Sequence, residues 1–350
     1  MDGFRYWIGA WQCPARVEEH LKSSEIIWIT WERHRRSREI SRNLGATLHE
    51  FNRKGGRFMR YLSALVSTTR VLARSRGKIV IVQSPSIVLA WFAACTRALF
   101  GFTLIVDAHN GGIEPLEGRY PILRRIAHFA LRKAALTIVT TTDMADQIRE
   151  IGGRGFVLVD PIPEMHAPPS TASAAPKKSV VAISSWAADE PMEELIGAGG
   201  LLPEGIQLSI TGRPKLSDEA ISKLPASVRL TRYLSEDDYV ALLRDADVIV
   251  DLTTRENCLV CGAYEALALA RPLVVSETAA LRELLANGAL YTRNVRSDIV
   301  ATALKALERG ESLASAARER SVELQSDWQS RKTQLLSHFD SLRGRRVANA

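Results

Sequence analysis

Short apolar runs alternate with amphipathic stretches along most of this 350-residue chain. The runs at 25–30 (EIIWIT), 78–82 (KIVIV), 103–106 (TLIV) and 136–140 (LTIVT) lack the polar alternation of a half-exposed strand. They predict strands buried on both faces, the signature of a parallel sheet covered by helices. Between them the apolar spacing turns helical: Phe58, Leu62, Leu65, Val66, Val71 and Leu72 predict a helix over 57–74. Further helices are expected at 87–100, 121–134 and 143–151, with short strands at 47–51 and 156–159. An arginine-dense helix is expected over 32–45, closed by Gly45. Residues 1–24 hold Phe4, Tyr6, Trp7 and Trp11 without a clear period.

Residues 164–178, EMHAPPSTASAAPKK, have no periodicity and read as a linker. Beyond them the alternation restarts. Strands are expected at 180–184, 207–211, 228–231, 248–252 and 273–276, with helices at 191–201, 217–224, 236–244, 259–269, 279–286 and 296–308. A long terminal helix is expected over about 313–342. The fold class is therefore α/β, with two Rossmann-like doubly wound domains. The expected boundaries are 1–163 for the first domain, 164–178 for the linker and 179–327 for the second domain.

Charge divides along the same line. Residues 1–160 carry 24 Lys and Arg against 14 Asp and Glu, and the remainder carry 22 against 25. A net +10 beside a net −3 predicts an anionic partner for the first half alone. Arg33, Arg35, Arg36, Arg38, Arg53, Lys54, Arg57 and Arg60 supply the densest part of that charge. Aromatic residues are not interleaved among them as single-strand readers require, so nucleic acid is not the expected partner. An anionic membrane surface fits better, with Phe58, Leu62 and Leu65 able to dip into the interface. The apolar stretch 87–102 is broken by Arg97 and is too short to span a bilayer. The four cysteines make no disulfide framework, and no secretory leader is expected at 1–24, which favours the cytoplasm.

The most informative stretch is 251–278, DLTTRENCLVCGAYEALALARPLVVSET. It reads as strand, turn, helix and strand, the helix stopping before Arg271-Pro272. The turn and the helix start near Gly262 suit a phosphate. Glu256 precedes the helix, and Glu265 lies inside its apolar part, where an acid needs a partner. Carboxylates beside a phosphate site accept sugar hydroxyls, so the combination suggests a nucleotide-sugar. Cys258 and Cys261 lack the second ligand pair of a zinc site, and Asp245-Ala-Asp247 reads as a helix terminator. No metal and no cofactor are expected.

With eight residues between its two glutamates, this segment resembles the donor-binding signature of GT-B glycosyltransferases, especially family four, where seven residues intervene. The resemblance implies that the two domains face across a cleft, that a helix over about 328–350 crosses back to the first, that Glu256 contacts the transferred sugar and that Glu265 holds the ribose hydroxyls. ISSWAADEPMEEL (183–195) and VDAHNGG (106–112) resemble motifs of the chitobiosyl-diphospho-lipid β-mannosyltransferases and similar bacterial enzymes. Many family-four members carry an Arg and a Lys after the first strand of the second domain. This loop offers Ser184, Ser185, Trp186, Asp189 and Glu190 instead, so the diphosphate is expected to use hydroxyls, the turn at Asn257, the helix start at Gly262, and Arg213 or Arg255. Asp107, His109 and Glu114 follow a parallel strand at the edge where α/β ligand sites form. The resemblance places the histidine opposite the donor sugar, and an inverting reaction would take Asp107 or Glu114 as base. Gly111-Gly112 is expected to let substrate approach the backbone. The first domain, through Arg33, Arg35, Arg36 and Arg57, is expected to meet the acceptor or the cytoplasmic face of a membrane. The implied function is transfer of a hexose from a nucleotide-diphosphate sugar to an acceptor such as a polyprenyl-diphosphate-linked saccharide. A nucleotide-sugar 2-epimerase of the same fold is the alternative, followed by a nucleic-acid-binding protein.

Overall fold

The structure, a computed structural model, describes residues 25–52, 56–84, 86–165 and 178–347. Outside it lie the aromatic patch at Phe4–Trp11, Cys13, Arg53, Lys54, the linker residues 166–177, and the side chains of Arg57 and residues 345–347.

The first domain is a six-stranded parallel sheet in the order β2-β1-β3-β4-β5-β6. Its strands are β1 (Ile26–Thr30), β2 (Thr47–Glu50), β3 (Ile79–Ser84), β4 (Thr103–Ala108), β5 (Leu136–Val139) and β6 (Gly155–Val157). Its helices are α1 (Arg35–Asn43), α2 (Arg57–Leu72), α3 (Ile87–Phe100), α4 (Asn110–Ile113), α5 (Pro121–Lys133) and α6 (Thr142–Glu150). Every residue of β1, β3 and β4 is buried, which is why these segments read as unbroken apolar runs. Their side chains divide between two cores by the two-residue period. Ile27, Ile29, Val80, Val82, Leu104 and Val106 face one side; Ile26, Trp28, Ile79, Ile81 and Ile105 face the other.

The second domain repeats the plan in the order β12-β11-β10-β7-β8-β9. Its strands are β7 (Lys178–Ala182), β8 (Ile206–Thr211), β9 (Val228–Arg232), β10 (Val248–Asp251), β11 (Leu273–Ser276) and β12 (Leu290–Thr292). Helices α7 (Met192–Gly200), α8 (Asp218–Ser222), α9 (Glu236–Arg244), α10 (Cys261–Ala268), α11 (Ala279–Leu285) and α12 (Arg296–Glu308) cover it. The start of α9 follows from its sequence: the Ser235 hydroxyl accepts from the Asp238 N–H at 3.2 Å, and three acids fill the first turn.

A final helix, α13 (Gly310–Val347), runs unbroken over 38 residues. Leu313, Ala317 and Leu324 are buried in the cores of the second domain, whereas Trp328, Leu335 and Phe339 are buried against the first sheet. The Trp328 indole N–H donates to the Val159 carbonyl at 3.1 Å.

Three elements depart from the sequence expectation. Strand β12, helix α4 and a 3-10 turn at Pro115–Gly118 occupy stretches expected to be loop. Gly112 is not a place for substrate to approach: a side chain there would meet Ser84 Oγ at 2.6 Å and the Ser84 carbonyl at 2.8 Å. Its hydrogen atom lets α4 sit against the end of β3.

Candidate active site between two sheet edges

Strand order in the second sheet reverses between β7 and β10, which opens a crevice outside their carboxyl ends. A cavity of about 640 Å³ occupies that edge, lined by Ser184, Ser185, Thr211, Tyr233, Ser235, Tyr239 and Glu265, and by Arg35 of the first domain. Glu265 lies in α10 among Ala263, Tyr264, Ala266 and Leu267, all buried. Its carboxylate accepts from the Tyr239 hydroxyl at 2.6 Å and from Arg35 Nη1 at 2.5 Å, across the domain boundary. The charged oxygen atoms thus reach the cavity mouth on an otherwise apolar helix. The neighbouring Glu265 charge and burial together hold the Tyr239 hydroxyl protonated, burial being the larger cause.

The helix start carries no free phosphate site at Gly262. The Gly262 N–H donates to the carboxyl of Asp251, and a side chain at Gly262 would come within 2.5 Å of Asp251 Oδ2 and of Ile183 Cδ1. Burial first, and then the charge of Glu265, pushes the Asp251 carboxyl well above the usual carboxylate range. Gly262 is therefore a packing residue, borders neither this cavity nor the cleft described below, and the expectation of a diphosphate seat there is corrected.

The serines that precede it are also engaged. Ser184 Oγ donates to Glu190 Oε2 at 2.5 Å, and Ser185 Oγ to Glu190 Oε1 at 2.7 Å. The Ser185 and Trp186 backbone N–H groups donate to the same carboxylate at 3.0 and 2.9 Å, with Trp186 at φ +59°. The loop is a ring of donors closed around an internal anion.

On the other side of the boundary, a cleft of about 780 Å³ is lined by Asn110, Glu114, Tyr120, Arg255, Glu256 and Asn257, among others. Asn110 Nδ2 donates to the Asn257 carbonyl at 2.8 Å, and Asn257 Nδ2 to Asp143 Oδ2 at 2.6 Å, so the turn after β10 is tied to the first domain. Thr254 N donates to the Asp189 carbonyl at 2.7 Å, which ties the same turn to the loop after β7. Arg255 stands 3.7 Å from Asp189 and 3.8 Å from Glu117. Glu256 is exposed and accepts a long hydrogen bond, 3.4 Å, from the Ala279 N–H. Glu114 is partly exposed beside His128, at 3.6 Å.

Asp107 does not open onto this cleft. It is fully buried at the end of β4, where Arg36 Nη2 reaches Oδ1 at 3.0 Å and Nε reaches both oxygen atoms. The same guanidinium holds Asp160 Oδ1 at 2.5 Å and the Leu158 carbonyl at 2.9 Å. Two expectations change. Arg36 belongs to a buried ion-pair network rather than to an acceptor or membrane face, and Asp107 is a partner of that cation, closed to an incoming hydroxyl. Above them the His109 ring lies 3.7 Å from Asp107 and 5.1 Å from the His34 ring, with a buried, unpaired Nε2. Burial lowers the pKa of His109, which holds it neutral near pH 7.

The rest of the arginine cluster divides. Arg35, half exposed, lines the 640 Å³ cavity and pairs with Glu39 and Glu265, and Arg38 pairs with Glu50 at 2.6 Å. Arg213 is exposed and lines neither the cavity nor the cleft. Asp245 caps the end of α9, and Asp247 accepts from the Ser179 N–H and Lys178 Nζ. Burial pushes the Cys258 thiol up and the Cys261 thiol to about 12, outweighing any effect of the helix start. Sequence reasoning missed Tyr239, Asp160 and the internal role of Glu190. The partners of the first two lie 26 and 124 residues away, beyond any local pattern.

Residues 9–162 match the family model described as "Glycosyl transferase 4-like domain". No curated protein matches the sequence. Among solved structures, sucrose-phosphate synthase from Thermosynechococcus elongatus aligns with a TM-score of 0.69 at 16% identity, over 85% of this chain and 84% of that one. Anabaena HepE in complex with UDP and glucose aligns at 0.70 and 14% identity, over 91% and 99%. An α,α-trehalose-phosphate synthase from Burkholderia vietnamiensis aligns at 0.57 and 13%, over 85% and 81%. The architecture of two parallel six-stranded sheets is that of the GT-B glycosyltransferases.

Proposed function

We propose that this protein is a glycosyltransferase that moves a hexose from a nucleotide-diphosphate sugar to an acceptor, a polyprenyl-diphosphate-linked saccharide used in polysaccharide or glycan synthesis. The observation that carries the reading is the buried Glu265 carboxylate, presented by an apolar helix to a 640 Å³ cavity at the switch point of the second sheet. The matched model for residues 9–162, the GT-B architecture and neighbours solved with UDP and UDP-glucose support it.

In this reading Glu265 accepts the ribose hydroxyls, and the base lies against Tyr233 and the loop that starts α9. The hexose extends toward the 780 Å³ cleft, where Glu256 accepts its hydroxyls. Arg35 and Arg255 flank the diphosphate path from opposite domains and offset the charge that develops on the leaving group. Glu114 borders the cleft and would take the proton of the acceptor hydroxyl as its oxygen bonds to the anomeric carbon. The bond to the diphosphate breaks in the same step, and the resemblance sets His109 opposite the sugar. The resemblance of 183–195 and 106–112 to the chitobiosyl-diphospho-lipid β-mannosyltransferases supports inversion. The protein would work at the cytoplasmic face of a membrane as a peripheral protein. No helix among the described residues is long and apolar enough to cross one.

The test is a panel of nucleotide-sugars scored by thermal stabilisation, followed by a product assay with the donor that binds. Transfer only in the presence of acceptor supports the reading. An altered sugar nucleotide formed from donor alone would make the protein an epimerase instead. The anomeric coupling constant of the product reads the stereochemistry, and a retained configuration would remove Glu114 as base.

A further inference from the structure

Both oxygen atoms of Glu265 are already engaged. Oε2 accepts from the Tyr239 hydroxyl at 2.6 Å and Oε1 from Arg35 Nη1 at 2.5 Å, and the side chain is only 7% exposed. A ribose hydroxyl that is to bond this carboxylate has to replace one of the two donors. They differ in what holds them. The Tyr239 ring packs against a core of the second domain, the domain of Glu265 itself. Arg35 reaches over from the first domain, begins α1 and is 49% exposed. Its Nε is bound to Glu39 at 2.8 Å, one helical turn further on, so the side chain stays tethered to its own helix when Nη1 lets go. Arg35 is therefore the donor that yields.

The exchange is uneven. A neutral hydroxyl replaces a cation, and charge-assisted hydrogen bonds are the stronger kind. The displaced guanidinium also loses its acid across the domain boundary. A ligand that brings its own anion offsets both losses, because the planar fork of an arginine matches phosphate oxygens two at a time. A nucleoside brings no such anion, whereas a nucleoside diphosphate does.

We propose that Arg35 is a specificity-determining residue of the donor cavity. It competes with the ribose for Oε1 of Glu265, and it passes to the diphosphate when the ribose takes that oxygen. The inference rests on the glycosyltransferase reading for the role of Glu265. To that reading it adds selection of the diphosphate by a residue that a nucleoside alone can expel only at a loss.

The test takes uridine, guanosine, adenosine and thymidine, each against its 5′-diphosphate, on the full-length protein. Calorimetry measures the tighter ligands and NMR titration the weaker ones, and the base that the wild type binds is the one read. Arg35→Met frees Oε1, so the nucleoside should bind up to about fivefold more tightly, the worth of a half-exposed ion pair. The same variant should bind the diphosphate about tenfold or more weakly, the loss of a charge-assisted hydrogen bond. Opposite signs in one variant are the signature, since a loosened fold would weaken both ligands. Arg35→Lys keeps the charge and should keep most of the preference for the diphosphate. A nucleoside affinity unchanged or lowered by Arg35→Met would overturn the proposal, as would a diphosphate affinity unchanged or raised. If the diphosphate binds the wild type and the signs do not split, only the exchange at Arg35 falls. If the wild type binds none of the four diphosphates, the donor reading falls and the exchange with it.

Discussion

Replacing Glu265 with glutamine tests the donor site with almost no change of shape. In the native protein one oxygen of Glu265 accepts from Tyr239 and the other from Arg35, and the carboxylate is nearly inaccessible. The amide oxygen of Glu265→Gln can still accept from Tyr239, but its NH₂ group then faces the guanidinium, donor to donor. Arg35 is half exposed and can turn to water, so the fold should lose no more than about 1 kcal/mol. Donor binding should suffer more. A hydrogen bond to a charged group contributes roughly 1.5–3 kcal/mol, so loss of the ribose contact should raise the donor Kd roughly 10- to 150-fold. Calorimetry on the nucleotide-sugar selected by thermal stabilisation measures this directly. A 2′,3′-dideoxy analogue closes the argument: it should bind the wild type as weakly as the natural donor binds the variant, and the variant should not distinguish the two. A folded Glu265→Gln protein with wild-type donor affinity, or a wild type indifferent to the ribose hydroxyls, would refute the assignment.

Glu256→Ala should lower kcat by about tenfold or more, the worth of one charge-assisted contact to the reacting sugar, while donor affinity changes far less; steady-state kinetics beside calorimetry separates the two. Arg36→Met should destabilise the first domain by roughly 3–5 kcal/mol in urea unfolding, because Asp107 and Asp160 are left facing each other without a cation, and adding Asp107→Leu should recover part of the loss. Asp251 has a raised folded-state pKa, so its contribution to stability is complete below about pH 4 and is lost as pH climbs through that raised value. Asp251→Asn cannot ionise, so it should be more stable than wild type at pH 7 and converge with it in acid; parallel curves across that range would contradict the buried, neutral carboxyl.

What the sequence made legible depended on whether the determinant was local. Apolar runs such as IVIVQS and VIVD announced strands because burial on both faces removes polar alternation. Glu265 stood out for the converse reason, as the one acid in a helix whose other buried positions carry no charge. The short strand at Leu290–Thr292 follows Asn287-Gly288 and offers only three residues, too few to show a period. Helix α4 begins Asn-Gly-Gly, a composition that favours turns, and forms because Gly112 fits against Ser84. The arginine cluster was misread in part because density suggests a surface, whereas the function of each guanidinium depends on partners brought in by the fold. Arg36 meets acids 71 and 124 residues downstream and Arg35 one 230 residues away, whereas Arg38 finds Glu50, and Arg35 also Glu39, nearby in the chain. The loop after β7 shows the same limit: the absence of a cation could be read from ISSWAADE, but its closure around Glu190 could not.

The unbroken terminal helix has a mechanical consequence. At about 1.5 Å per residue its 38 residues span roughly 57 Å, with one end keyed into the second domain and the other into the first. A continuous hydrogen-bonded rod resists folding over on itself but lets its two anchored ends swing about its long axis. A turn around that axle would be the opening motion that leaves the helix intact. Such a turn would slide the rims of the two sheets past each other, carrying Arg35 off Glu265 and Asn110 off Asn257 together. The two bonds would act as paired detents on that motion.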